Sequence, residues 1–242
     1  VHSILRHAVK IETDPFPYVV IENALDDYAE LAATRWDKDR IANGRNYVDN
    51  QRLDLSAHKF LGMSPPPVWA EFVSYHVSQA FWRDVWDVFG VAIKSTHPGL
   101  AVGRNTSTCM RFAGAAKIGL ECQIGMNTPT KTAGSVRGPH IDSLNEIMGG
   151  MLYMPLPEDN AGGDLEIHRL TGKPKFAGKM QLLPGLSEYV ATVPYRANTF
   201  VMFVNGPRSV HAVTRRQPTH LERRLVSFGI DFEAAFFDPM GA

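Results

Sequence analysis

His140-Ile141-Asp142 places an imidazole and a carboxylate two residues apart. In an extended strand, residues i and i+2 point to the same face, so both side chains can reach one point inside a sandwich or barrel. The triplet alone carries little weight, because nine His and 14 Asp in 242 residues yield about half such a triplet by chance. Its surroundings raise its value. Gly138-Pro139 precedes it, an apolar run GMLYM at 150–154 follows, and the turn DNAGG at 159–163 feeds a further run DLEI. A second histidine, His211, comes after the apolar run FVMFVN at 200–205. Two imidazoles and one carboxylate on one side of a divalent ion leave three coordination positions open, the facial triad of non-haem iron centres. The open positions let a bidentate co-substrate and dioxygen bind the ion together. The plain alternative is three polar residues at strand ends, satisfied by backbone groups; the ordered set among apolar runs argues against it. His220-Leu221-Glu222 repeats the spacing inside the polar stretch at 215–219, where a loop is expected and no third ligand follows, so it is set aside. His58, His76, His97 and His168 are isolated and read as surface or core residues.

Such residues need strands to carry them. From about residue 100 the chain consists of short β-rich runs at 107–112, 119–126, 149–154, 163–168, 189–193, 199–204, 209–214 and 225–232, separated by Gly, Pro, Asn and Asp. This grammar predicts a sandwich or jelly roll. The first third is mainly helical. PFPYVVIE at 15–22 predicts an opening strand, followed by a helix to about residue 41, and residues 42–64 are polar and irregular. The prolines at 65–67 introduce a helix to about Phe89, closed by Gly90 as a C-cap. Its stripe of Trp69, Phe72, Val73, His76, Phe81, Trp82 and Val85 falls at helical spacing and reads as core packing. No linker separates the two parts, so one α+β domain over 1–242 is expected, with helices covering an outer face of the sandwich.

Composition excludes several functions. The 25 basic and 25 acidic side chains cancel, which leaves no broad electrostatic footprint for nucleic acid or an anionic membrane. Cys109 and Cys122 cannot build a disulfide framework, and two buried thiols in a reducing compartment are expected. No apolar run approaches a membrane span. The opening VHSILRH lacks the apolar core of a secretion signal, so a cytoplasmic location is the default, although a chain beginning with Val leaves room for residues upstream.

Three blocks of the chain resemble the Fe(II)/2-oxoglutarate-dependent dioxygenases, nearest the prolyl-4-hydroxylase-like branch. They are GPHIDSLNEIMGGMLYMPLPEDNAGGDLEIHR, VPYRANTFVMFVNGPRSVHAV and ERRLVSFGID, with weaker support from PFPYVVIENALDD. The resemblance covers about residues 107–232. It implies a double-stranded β-helix (jelly roll) with N-terminal supporting helices, and Fe(II) held by His140, Asp142 and His211. It further implies 2-oxoglutarate as co-substrate, its far carboxylate held by a basic residue opening the last strand and by Tyr153.

Arg223 and Arg224 compete for the basic role. Facing Arg223 inward puts Leu225, Ser227 and Gly229 in the cavity and Val226, Phe228 and Ile230 outside; facing Arg224 inward puts the bulky set where space is needed. Arg223 is therefore favoured; the chemistry is the same for either, a guanidinium matching a carboxylate bidentately. Leu225 departs from the small or hydroxyl residue often found there. The loop at 126–137 also departs from the protein-prolyl hydroxylases, so a prolyl substrate does not follow. The implied reaction is hydroxylation of a C–H in a small-molecule or amino-acid/peptide substrate, with release of succinate and carbon dioxide. Asp142 argues against a halogenase, in which chloride takes that coordination site. A cupin-like metal enzyme and a non-catalytic cupin- or lectin-like binding module are the rivals. Arg111, Gln123, Asn127, Arg137, Asn205 and Arg208 are candidates to face the cavity, with ordinary surface or turn positions as the equal alternative for each.

Overall fold

β10 (Thr199–Val204) reads TFVMFV and is buried at every position, which requires cover on both faces of its sheet. It lies between β1 (Tyr18–Glu22) and β5 (Glu146–Tyr153). The computed structural model describes residues 2–8, 10–34, 38–42, 44–111, 113–135 and 137–240. Beyond β5 the sheet continues through β12 (Arg223–Phe232), β4 (Ile118–Asn127) and β2 (Arg52–Leu55), giving the order β1-β10-β5-β12-β4-β2. These pairs are all antiparallel, and β3 (Thr108–Met110) adds to β4 in parallel. A second, antiparallel sheet runs β11 (His211–Val213), β6 (Leu165–Leu170), β9 (Ser187–Val193). A small hairpin joins β7 (Phe176–Ala177) to β8 (Gln181–Leu182).

The period-two alternation of the strands sorts their side chains between two cores. Phe200, Met202, Leu152, Val226, Phe228 and Cys122 point to one face of the large sheet and pack with Trp69, Phe72, Trp82 and Phe89 of the helices. Val201, Phe203, Tyr153 and Leu225 point to the other, against Leu165, Ile167 and Val193 of the small sheet. The two sheets thus enclose the space of a double-stranded β-helix, and the helices back its large sheet, as the alternation of the sequence predicts.

The N-terminal third departs from expectation in three places. Helix is present as α1 (Tyr28–Ala33) and α2 (Lys38–Ala42); residues 35–37, part of the expected continuous helix, lie outside the described residues, as does Phe112 at the end of the expected strand 107–112. The stretch read as irregular holds β2 and α3 (Ala57–Leu61): Leu53 and Leu55 alternate with Arg52 and Asp54, enough for a four-residue strand on the edge of β4. The long helix is two, α4 (Pro67–His76) and α5 (Gln79–Thr96). Ser78 caps α5 by accepting the amide of Phe81 at 3.4 Å. Gly90 is not a terminus. It lies inside α5, where a Cβ would come within 2.9 Å of the Trp86 ring, so packing rather than capping demands it. Both cysteines are free; Cys122 is buried as expected, but Cys109 is only half-buried.

His76 ties the N-terminal segment to α4. Its Nδ1–H donates to the Phe72 carbonyl at 2.8 Å, and its Nε2 accepts the Ile4 amide at 3.1 Å. Complete burial pulls its pKa from 6.5 down to about 4. The unfolded chain therefore takes up this proton first as pH falls, and the stabilisation present above about 6.5 is lost progressively towards 4. That shift corresponds to about 3 kcal/mol at acidic pH. Denaturant titrations at neutral and acidic pH should show this slope in the wild type and a shallower one in His76→Gln; equal slopes would refute the assignment.

Candidate functional site

His140 precedes the small sheet rather than lying in a regular strand. It joins His211, the first residue of β11, through a reciprocal pair of backbone hydrogen bonds of 2.9 and 3.0 Å. Asp142 lies two residues on, in irregular chain. The expectation that this triplet sits on a strand is thus met only by a one-residue bridge, yet local extension suffices to turn both side chains the same way. Asn205, directly after β10, secures the segment from behind. Its Oδ1 accepts the Asp142 amide at 3.3 Å, and its Nδ2 donates to the carbonyls of Ser143 and Glu146 at 2.8 and 2.9 Å. The Asn205 carbonyl in turn accepts a 2.6 Å bond from the His97 ring.

The ligand-capable atoms of His140, Asp142 and His211 lie within 4.8 Å of one another, the one such group among the described residues. His140 donates its Nδ1–H to the Gly138 carbonyl at 2.7 Å, and His211 donates its own to the Ser209 carbonyl at 2.9 Å. Those bonds set the tautomers and leave both Nε2 lone pairs free. The Nε2 atoms stand 3.7 and 3.6 Å from the two oxygens of Asp142. Burial pushes the pKa of both rings down, so they are neutral, and the close approach to Asp142 is not two ion pairs. Neutral imidazoles and a carboxylate at this spacing are the donor set of a divalent cation. Gly149 on β5 has no side chain for a reason: a Cβ there would stand 2.9 Å from Asp142 Oδ2 and 2.8 Å from the Phe203 ring. Arg137 donates to Asp142 Oδ1 at 3.3 Å.

The group opens on a cavity of about 320 Å³ between the sheets, which also receives Arg223, Met151, Leu165, Phe203 and Ser227. Arg223 is 1% exposed and its guanidinium stacks 5.2 Å from the Tyr153 ring and 4.9 Å from the Tyr195 ring. Its Nε donates to the Gly163 carbonyl at 2.8 Å, and Nη1 to Asn127 Oδ1 at 3.3 Å. Gly163, at φ +95°, must be glycine; a Cβ would lie 2.7 Å from Arg223 Nε. Three buried donors close by have no acceptor: Arg223 Nη2, the Tyr153 hydroxyl and Asn127 Nδ2. Burial raises the Tyr153 pKa to about 12, so the phenol keeps its proton. Orphaned donors around a buried guanidinium are what an anionic oxygen pair would satisfy. Arg224 points the other way, half-buried, 3.6 Å from Glu222.

Of the other sequence-derived candidates, Arg111, Gln123 and Arg137 line the cavity, Asn127 braces Arg223, and Asn205 acts from behind. Arg208 is exposed on a turn, the ordinary alternative to a place in the cavity. The decoy triplet with His220 and Glu222 lies in the loop before β12, as expected. Sequence reasoning missed Arg52 and Asp54, paired at 2.6 Å at the cavity wall, where Arg52 also donates to Ser227 Oγ at 2.6 Å. It also missed Glu121 and Glu146. The alternation Arg52-Leu53-Asp54-Leu55 was the available signal for the first pair.

No protein-family model matches this sequence, and no curated protein matches it. Solved structures do. A prolyl 4-hydroxylase from Phytophthora capsici superposes with a TM-score of 0.52 at 14% identity, covering 89% of this chain and 59% of the other, so this chain spans only part of that protein's length. The epimerase SnoN, solved with Fe3+, alpha-ketoglutarate and nogalamycin RO, gives 0.52 at 15% identity over 93% of this chain and 82% of its own. The alpha-ketoglutarate-dependent carbocyclase SnoK from nogalamycin biosynthesis gives 0.51 at 15%, over 93% and 83%. The fold of this chain is accordingly the double-stranded β-helix found in prolyl 4-hydroxylases and in non-haem iron, 2-oxoglutarate-dependent enzymes.

Proposed function

We propose that this protein is an Fe(II)- and 2-oxoglutarate-dependent dioxygenase that hydroxylates a C–H of a small-molecule or amino-acid/peptide substrate. The observation that carries the reading is one cavity holding both the His140/Asp142/His211 donor set and a buried arginine ringed by unpartnered donors. His140 and His211 would hold the iron through Nε2, and Asp142 through its carboxylate. Arg223 would take the far carboxylate of 2-oxoglutarate, with Tyr153 and Asn127 donating to the same oxygens. When bound, the iron couples reduction of dioxygen to decarboxylation of 2-oxoglutarate, yielding succinate, carbon dioxide and an oxidised substrate. The chain's own work is placement and drying. Arg137 steadies Asp142, the Asn205 amide holds the segment bearing it, and Phe203, Leu165 and Met151 keep water from the reacting face.

Hydroxylation is favoured over halogenation because Asp142 occupies the place a chloride would need. The test is to supply iron(II), 2-oxoglutarate and oxygen to the purified protein and to measure succinate. Slow release without substrate and faster release with a true substrate are expected, and the product should carry oxygen and no chlorine. A well-folded protein that binds no metal and releases no succinate would instead be a jelly roll that only binds.

A further inference from the structure

The cavity has a second end. Along the inward face of β5, Tyr153 marks the Arg223 end, Gly149 sits by the donor set, and Glu146 lies beyond. Strand register sets Gly149 opposite Gly229 of β12, and Gly229 opposite Glu121 of β4. These three residues form one row across the sheet, spanning ~10 Å at two strand spacings. Two of its members lack side chains; Asp142 and the Phe203 ring close over Gly149, and the row brings the donor set and Glu121 to the wall of one cavity. A Cβ on Gly229 would lie 3.5 Å from Glu146 Oε1 and 3.7 Å from Glu121 Cβ, which puts both acids over that glycine. Asp231 stands next along β12, paired in register with Glu146.

Three acids, Glu121, Glu146 and Asp231, face two cations, Arg111 and Arg137. Arg111 meets Asp231 Oδ2 at 2.8 Å. Glu121 is 3% exposed; its Oε1 accepts the amides of Ala57 and Cys122, but its buried Oε2 has no partner, nor does Asp231 Oδ1. Burial raises the pKa of Glu121 and of Asp231, and the nearby Arg111 only partly offsets it. The three acids do not converge as metal ligands, since the one such group among the described residues is the histidine set.

We propose that Glu121 and Glu146 form the seat for a protonated amine of the substrate, holding it over Gly229 while a C–H of the same molecule faces the His140/Asp142/His211 group. This rests on the oxygenase reading for the reaction but not for the seat. An ammonium brings three donors and a charge to a site where Glu121 Oε2 has no hydrogen-bond partner and Arg111 is engaged by Asp231. The substrate class is therefore a small amine whose oxidised carbon lies within ~10 Å of its nitrogen, the width of the glycine row.

Calorimetry on the anaerobic protein supplied with iron(II) and 2-oxoglutarate tests it, with propylammonium and putrescine set against the neutral isosteres propanol and butanediol. The wild type should favour each amine by at least about tenfold, as a hydrogen-bonded charge does over a neutral donor. Glu146→Gln and Glu121→Gln should each bring that ratio close to one, while Glu188→Gln on the outer surface should keep it. If Glu121→Gln fails to fold, Glu146→Gln alone decides. Equal binding of amine and alcohol by the wild type, no amine binding at millimolar concentration, or a preference unchanged in the Glu146 variant would overturn the proposal. A succinate assay run alongside separates the two readings. Amine preference without succinate keeps the seat and sinks the oxygenase; succinate without amine preference does the reverse.

Discussion

Asp142→Ala should empty the protein of iron and stop succinate formation. Asp142 is the one anionic donor of the three, and its oxygens stand 3.7 and 3.6 Å from the two imidazole nitrogens. Loss of groups that merely orient metal ligands costs about 10- to 100-fold in affinity or activity, so loss of a ligand should exceed ~100-fold. The substitution also strands Arg137, which donates to Asp142 at 3.3 Å, and leaves its charge beside two neutral imidazoles. Asp142→Asn keeps the shape without the charge, and should recover little. Iron content after dialysis and succinate yield are the two measurements. A variant that retains iron and turns over normally would remove Asp142 from the centre, and the oxygenase reading with it.

Arg223→Ala should raise the 2-oxoglutarate requirement steeply while iron binding survives, because Arg223 touches none of the three donor side chains. Truncating one partner of a buried, hydrogen-bonded charge pair costs about 2–5 kcal/mol, or roughly 30-fold to several thousand-fold in affinity. Arg224→Ala should change little, since Arg224 is half-buried at another surface beside Glu222. Arg223 also packs between Tyr153 and Tyr195, so a melting curve must accompany the binding curve. Comparable effects of the two substitutions, or the reverse ranking, would show that the far carboxylate lies elsewhere.

The structural neighbours bear on reaction type only at the level of the fold. One is a hydroxylase, one an epimerase and one a carbocyclase, on a shared β-helix. The cavity residues, not the fold, must choose the outcome. In this chain the distinctive ones are the acids at 121, 146 and 231 and the Arg52–Asp54 pair.

What the sequence determined by itself is the local grammar. Strands 118–127, 199–204 and 223–232 were legible because both of their faces are covered and apolar residues run through them. The facing of Arg223 was legible too, because Val226, Phe228 and Ile230 alternate with it and must fill the helix-backed core. The donor types and their order, His140 and Asp142 followed by His211, are likewise written in the chain. Tertiary structure decided everything that depends on neighbours distant in sequence. Two departures from expectation were instead local: the Ser78 cap on Phe81, which the apolar stripe overran, and Gly90, on which the Trp86 ring of the preceding turn packs. The strand at 52–55 shows only two periods of alternation, and it is the edge offered by β4 that makes it a strand. Glu121 and Glu146 carry no signal of their own in the sequence; register sets Glu121 in one row with Gly229 and Gly149, and Glu146 lies beside it. Side-chain type is a property of the residue, but burial without a partner is a property of the pairing of strands, and that pairing is where the chemistry of this cavity is made.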